Sequence, residues 1–275
     1  MGAPSAYSWE VPSCRDLAQA CAEAARRGGE VLRARWGQRR TIEYKGGADL
    51  VTDADRASEA EVLAFIAARF PGAAVLAEES GASGAAEAAL RFVVDPLDGT
   101  TNYAHGLPQF AVNVAVEDAA GIAAGATYDP LRDELFVAAR GEGATVGGER
   151  IQVTREAELR RSLLCTGFPP DVLRDPEPAL RLFAAYLKQA RAIRRLGSAA
   201  LDLAYVACGR LDGFWEMRLK PWDLAPGILL VREAGGVVAD FDGGQAMMAT
   251  GEICAAGPAL HPRLMEILRQ VRGAG

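Results

Sequence analysis

The chain has 275 residues, 50% of them hydrophobic and 24% charged, with a formal net charge of −6. That length and balance allow a full core in one large domain or two intimate ones, and the acidity argues against nucleic acid as a bulk electrostatic partner. Five scattered cysteines without C-x-x-C spacing fit the reduced thiols of a cytoplasm, the presence of only His105 and His261 argues against a histidine-based transition-metal site, and no apolar run reaches membrane-spanning length.

Met1 to Val11 carries no basic stretch ahead of an apolar core, so no secretory signal is expected. Asp16 to Arg35 is alanine-rich and free of proline, which predicts a first helix closed near Gly37. A short strand at Thr41 to Lys45 ends at the Gly46-Gly47 break. Asp53 then caps a helix reaching about Phe70, with Val62, Phe65, Ile66 and Phe70 on one face and Pro71-Gly72 as its stop. Ala74 to Ala77 and Arg91 to Val94 read as strands. Phe110 to Glu117 alternates, with Phe110, Val112, Val114 and Val116 facing one way, as a half-buried antiparallel strand does. Strands near 122–128 and 133–139 follow, joined by an Asp129-Pro130 turn.

Gly147 to Arg160 is polar and irregular. After it come a strand at 162–166, helices near 177–191 and 199–209, a strand at 211–216, a helix at 223–234, strands at 236–240 and 251–256, and a last helix from Pro258. The first half clusters antiparallel strands, while the second alternates strands with helices. The expected fold is an N-terminal α+β half, residues 1–150, packed on a C-terminal α/β half, residues 151–275, with a site in the cleft between them.

Val93-Val94-Asp95-Pro96-Leu97-Asp98-Gly99-Thr100-Thr101 is the most informative segment. A buried strand runs into two carboxylates three positions apart, then a glycine and two hydroxyls. Taken alone, it suits a tight strand-to-helix connection as well as a site for a hard cation and a phosphate. Three other segments place acids at element ends: Glu78-Glu79-Ser80, the trio Asp49, Asp53 and Asp55, and Trp222-Asp223. Helix capping accounts for Asp53 or Asp223 singly, but four such ends in one chain exceed what capping requires. Arg191, Arg194 and Arg195 form a basic cluster that suits a solvated helix face or the grip on an anion.

In chain order, Ala48-Asp49-Leu50-Val51-Thr52-Asp53-Ala54-Asp55, Glu78-Glu79-Ser80, Asp95-Pro96-Leu97-Asp98-Gly99-Thr100-Thr101-Asn102, Leu196-Gly197-Ser198-Ala199-Ala200 and Lys220-Pro221-Trp222-Asp223 resemble the motifs of the inositol monophosphatase family. These are magnesium-dependent, lithium-sensitive sugar phosphatases, and the resemblance runs from the first helix to the last. It implies a layered αβαβα sandwich, a homodimer, and two or three Mg²⁺ ions between the halves. Carried over by position, Glu78, Asp95 and the Leu97 carbonyl hold one ion, and Asp95, Asp98 and Asp223 a second. Glu78 and waters complete a weaker third. Such a partial acidic cage suits magnesium, and two dications make a protein nucleophile unnecessary. The resemblance assigns Glu78 and Thr100 to orienting the attacking water, with Asp55 holding Thr100. It gives the phosphate to the Gly99 and Thr100 N–H groups, and the sugar or inositol to Asp98, Gly197, Ser198 and Glu216.

Three positions depart from that pattern. Ala77 stands where the family has glycine, and Lys45 only approximates the basic residue placed beside the active-site loop. Pro226 sits just inside the helix after Asp223, acceptable in a first turn and disruptive further in. The implied function is a cytoplasmic magnesium-dependent phosphomonoesterase acting on inositol monophosphate or a similar polyol phosphate. Relatives acting on fructose 1,6-bisphosphate, 3′-phosphoadenosine 5′-phosphate, NADP or histidinol phosphate are the alternatives. Asp98-Gly99-Thr100 is also similar to the haloacid-dehalogenase phosphatases, but acids three apart in mid-chain speak against a covalent aspartyl-phosphate. The rival from another class is a regulatory binding protein on the same fold, acting on transcription or RNA-processing machinery.

Overall fold

The computed structural model describes residues 12–38, 42–46, 49–169 and 171–273, with the backbone alone described at 42–46 and 49–51. Expectations placed on residues 1–11, Thr41, Gly47 and Ala48, and on the side chains of Lys45, Asp49, Leu50 and Val51, lie outside these. Among the described residues no helix is long and apolar enough to cross a membrane.

Helix α1 (Cys14–Arg35) opens on a capping box, the Asp16 amide donating to the Ser13 hydroxyl and the Ser13 amide to the Asp16 carboxylate. A hairpin of β1 (Ile42–Gly46) and β2 (Asp49–Thr52) leads into α2 (Asp53–Arg69). Its cap is Thr52 rather than the expected Asp53. The Thr52 hydroxyl accepts from the Ala54 amide at 3.2 Å, and the Asp55 carboxylate accepts the Thr52 amide at 2.9 Å. Asp53 is one residue too late for that geometry and pairs with Arg35 at 2.7 Å.

The first sheet holds β3 (Ala74–Ala77), β4 (Gly81–Ser83), β5 (Arg91–Asp98), β6 (Ala111–Asp118), β7 (Gly121–Asp129), β8 (Glu134–Ala139), β9 (Gly143–Val146) and β10 (Glu149–Arg150), in the spatial order β10-β9-β8-β7-β6-β5-β3-β4. Only β3 and β5 pair in parallel. Strand β5 continues past its expected end at Val94 to Asp98, its register slipping between Asp95 and Asp98, where Pro96 has no N–H to give. The short α3 (Thr100–His105) follows.

The second sheet takes β11 (Leu163–Thr166), β12 (Ala192–Arg194), β13 (Gly213–Glu216), β14 (Val237–Ala239) and β15 (Ile253–Ala256), ordered β12-β11-β13-β15-β14. Around it lie α4 (Glu177–Leu187), α5 (Ala199–Ala207), α6 (Pro221–Glu233), α7 (Met247–Thr250) and α8 (His261–Gly273). The layers run α1 and α2, first sheet, α5 and α6, second sheet, α4 and α8, an αβαβα sandwich. The middle layer explains one departure from expectation. Strand β6 is buried on both faces, because α6 covers the side that alternation assigned to solvent.

That middle joint is tight. Helix α6 begins at Pro221, two residues before the expected start, so Pro226 falls in its second turn rather than its first. A proline there leaves the carbonyl four residues earlier, on Trp222, without its helical donor. Asn113 Nδ2 supplies the missing donor at 3.1 Å, and Asn113 is itself oriented by the Thr127 hydroxyl, which donates to Oδ1 at 2.6 Å. Gly125 on β7 makes room for the contact: a Cβ there would lie 2.9 Å from Pro226 Cα. Asn113 stands opposite Asp95 in the β5–β6 register.

Candidate active site

Asp95 sits where β5 loses its regular pairing, with Oδ1 accepting the Leu97 amide at 2.9 Å. The Pro96 carbonyl accepts the Ser58 hydroxyl at 2.9 Å, which holds the far side of this turn to α2. Glu78 arrives from the neighbouring parallel strand, its amide bonded to the Val94 carbonyl at 3.1 Å. Glu78 and Asp223 both lie close enough to the Asp95 carboxyl for their charges to act on it. One oxygen from each of Asp95, Asp98 and Asp223 lies within 4.8 Å of the other two.

Asp98 links the two sheets. Its Oδ2 accepts the Ser198 hydroxyl and the Ala200 amide, the latter at 2.9 Å, at the N-terminus of α5. Asn102 tightens the same seam, its Nδ2 donating to the Gln109 and Leu196 carbonyls, each at 2.8 Å. Gly99, at φ 92°, must be glycine, because a Cβ would meet the Gln109 carbonyl at 2.9 Å and the Gly197 carbonyl at 3.2 Å. Asp223 occupies the third position of α6, where Oδ2 accepts the Lys220 amide at 2.7 Å. Thr100 bridges the turn, its hydroxyl 2.9 Å from the Leu97 carbonyl and 3.2 Å from Asp55 Oδ1. Asp55 therefore both caps α2 and holds Thr100.

These groups line a cleft of about 350 Å³ between the sheets, together with Gly197, Ser198 and Glu216. Every side chain the sequence singled out for ligation or substrate is brought to it, and Asp55 stands behind through Thr100. Asp53 and Glu79 are not among its walls. Asp202 is the residue that sequence reasoning missed. It is buried on α5, one turn after Ser198, with Oδ1 lacking any partner among the described residues. Its signal was available: it is the single charged residue in a nine-residue helix buried throughout.

Six carboxylates, Glu78, Asp95, Asp98, Asp202, Glu216 and Asp223, share this cleft with the cations Arg195, Arg218 and Lys220. Arg218 is committed to Asp171 at 3.2 Å. Burial, and then the charges of Glu78, Asp98 and Asp223, hold Asp95 well above the usual carboxylate range. Burial and the nearby Asp98 push Asp223 up to about 7, while burial raises Asp55 to about 6. Asp98 is raised by burial against the Ser198 and Ala200 hydrogen bonds, and Glu216 by burial, Asp202 and Asp223. Carboxylates crowded this closely ionise together only with positive charge between them. An all-oxygen set of this kind fits a hard dication such as magnesium rather than a softer metal.

The chain is also similar to known proteins. A profile of the Inositol monophosphatase family matches residues 14–272. The chain is 43% identical over 256 residues to the Nus factor SuhB of Haemophilus influenzae, covering 91% of this chain and 95% of that protein. It is 43% identical over 249 residues to the Inositol-1-monophosphatase of Synechocystis, covering 90% and 86%. Among solved structures, the extragenic suppressor protein suhB from Bartonella henselae superposes with a TM-score of 0.88 at 40% identity, covering 92% of this chain and 98% of that one.

Proposed function

This chain belongs to the inositol monophosphatase family, and from that premise we propose that it is a magnesium-dependent phosphomonoesterase acting on inositol monophosphate or a similar polyol phosphate. The observation that carries the reading is the Asp95, Asp98 and Asp223 trio, with oxygens within 4.8 Å of one another and the Glu78 charge also acting on Asp95. In this reading Glu78, Asp95 and the Leu97 carbonyl hold one ion, Asp95, Asp98 and Asp223 a second, and Glu78 contributes to a third. Bound there, magnesium acidifies water and neutralises charge on the phosphoryl and leaving oxygens.

The chain's own groups do the rest. Glu78 and the Thr100 hydroxyl orient the attacking water, and Asp55 keeps Thr100 pointed at it. The Gly99 and Thr100 N–H groups receive the phosphate. Ser198 takes up one oxygen of Asp98, which leaves Oδ1 for ligation. Gly197, Ser198, Asp98 and Glu216 meet the polyol, the carboxylates accepting from its hydroxyls. In the same reading the working form is a cytoplasmic, lithium-sensitive homodimer whose halves, 1–150 and 151–275, each supply part of the cleft. Its five free thiols suit a reducing compartment.

Phosphate release with Mg²⁺ from inositol 1-phosphate, histidinol phosphate, fructose 1,6-bisphosphate and 3′-phosphoadenosine 5′-phosphate tests the reading. Turnover confined to a bisphosphate would sink the polyol-monophosphate assignment, and no turnover at all would sink the enzyme. A second reading, favoured by the likeness to a protein called Nus factor SuhB, is a binding role in transcription. Asp95→Asn separates the two: a cellular phenotype that survives loss of hydrolysis makes the binding role the important one.

A further inference from the structure

Thr166 at the end of β11 stands opposite Trp215 of β13 in a parallel pair, so the next residues along, Gly167 and Glu216, lie side by side. The Glu216 side chain folds back over that glycine. A Cβ on Gly167 would lie 2.2 Å from both Oε1 and Oε2 of Glu216, which places the carboxylate flat against the bare α-carbon. Gly167 is not in the left-handed region, so its backbone does not call for glycine; the carboxylate beside it does. Glu216 is 7% exposed, with Asp202 and Asp223 carrying like charge close by. A carboxylate lifted off Gly167 is displaced within the cleft that both residues line, among the charges of Asp202, Asp223 and Arg195.

We propose that Gly167 is a specificity-determining position, the seat that fixes the Glu216 carboxylate and so sets both the room for the polyol and the reach to its hydroxyls. The inference rests on the phosphatase reading and concerns its sugar side alone. Adding one methyl requires the carboxylate oxygens to retreat from 2.2 Å to an ordinary carbon–oxygen contact of about 3.3 Å, a shift of about 1 Å. Hydrogen bonds to a hydroxyl tolerate only a few tenths of an ångström. The moving group is the free end of a flexible side chain, so the fold itself is little disturbed.

The test compares wild type, G167A, E216A and the double variant on inositol 1-phosphate and on p-nitrophenyl phosphate, which has no ring hydroxyls. Calorimetric titration with inositol 1-phosphate runs alongside. In G167A the ratio of kcat/KM between the two esters falls about tenfold, through KM, and the calorimetric Kd rises by a similar factor. Both changes vanish in the E216A background. A G167A protein that fails to fold must be rescued by E216A, since the clash is with that side chain; no rescue overturns the proposal. Equal losses on both esters, or an undiminished G167A effect without Glu216, overturn it too. If neither ester is hydrolysed, the phosphatase reading fails, and the titration still decides Gly167.

Discussion

Gly125→Ala probes whether the position of α6 governs the acidic trio. The new Cβ would sit 2.9 Å from Pro226 Cα and 3.1 Å from Pro226 Cβ, where carbon atoms ordinarily approach to about 3.5–4.0 Å. Relief needs about 0.6–1 Å of movement, and neither side yields easily. Gly125 lies inside β7, and Pro226 is one turn from the Trp222 carbonyl that Asn113 holds. Overpacking of this kind costs about 1–3 kcal/mol. At about 2–4 °C per kcal/mol for a chain of this size, the melting temperature falls by several degrees. The movement passes to Asp223, three residues before Pro226 on the same helix, and so to its spacing from Asp95. Misplacement by much of an ångström costs catalysis roughly 10- to 100-fold. Melting curves and Mg²⁺ titration of phosphate release read both effects. A lower melting temperature with wild-type Mg²⁺ half-saturation and kcat would show that the joint and the trio are independent, and an unchanged melting temperature would refute the packing argument itself.

Asn113→Ala leaves the part-buried Trp222 carbonyl without that donor and costs about 1–3 kcal/mol in urea unfolding. That loss shrinks in a P226A background, where residue 226 regains an N–H, so strict additivity of the two substitutions counts against the pairing. Saturating Mg²⁺ stabilises the wild type by about 2.7 kcal/mol at one hundred times Kd, and D223N removes most of that increment in a thermal-shift assay. Equal shifts in both proteins place the ion elsewhere. Burial would raise the Asp240 carboxyl, but the amides of Ala246, Gly244 and Asp242 outweigh it and hold it below the usual range. Its contribution is therefore present above about pH 4, the unfolded value, and disappears as pH falls through the folded one. D240N is less stable than wild type at pH 7, and the difference closes in strongly acidic buffer; a difference constant down to pH 2 contradicts this.

Local chemistry announced itself well in this chain, and long-range cover did not. The strand at Ala74 to Ala77 and the break at Pro71-Gly72 follow from propensity and turn residues, and the structure puts β3 there. Phe110 to Glu117 was recognisable as a strand, yet its second buried face depends on α6, which is more than a hundred residues away in the chain. The same helix made Pro226 hard to read, because its tolerance rests on Asn113 and Gly125 from another sheet. Thr52 and Asp53 are both good caps, and only the backbone at the end of β2 decides between them. The acids at the ends of β3, β5 and the start of α6 stood out as chemistry without an obvious packing use. Their convergence needed the sheet order and the seam. Asp202 is harder to find, because only the burial of the whole of α5 shows that its lone acid is a buried charge.

The shared middle layer also bears on how the molecule is made. One face of the first sheet, with Ala111, Phe136, Ala138 and Ala144, is covered by α5 and α6. During synthesis from the N-terminus this face stays bare until about residue 233 has left the ribosome, although all eight strands beneath it are complete by residue 150. An isolated 1–150 fragment is expected to bind a hydrophobic dye and self-associate, whereas one that remained monomeric without dye binding would mean the sheet needs no cover. The nascent chain thus waits, sticky side outward, for the same helix that delivers Asp223.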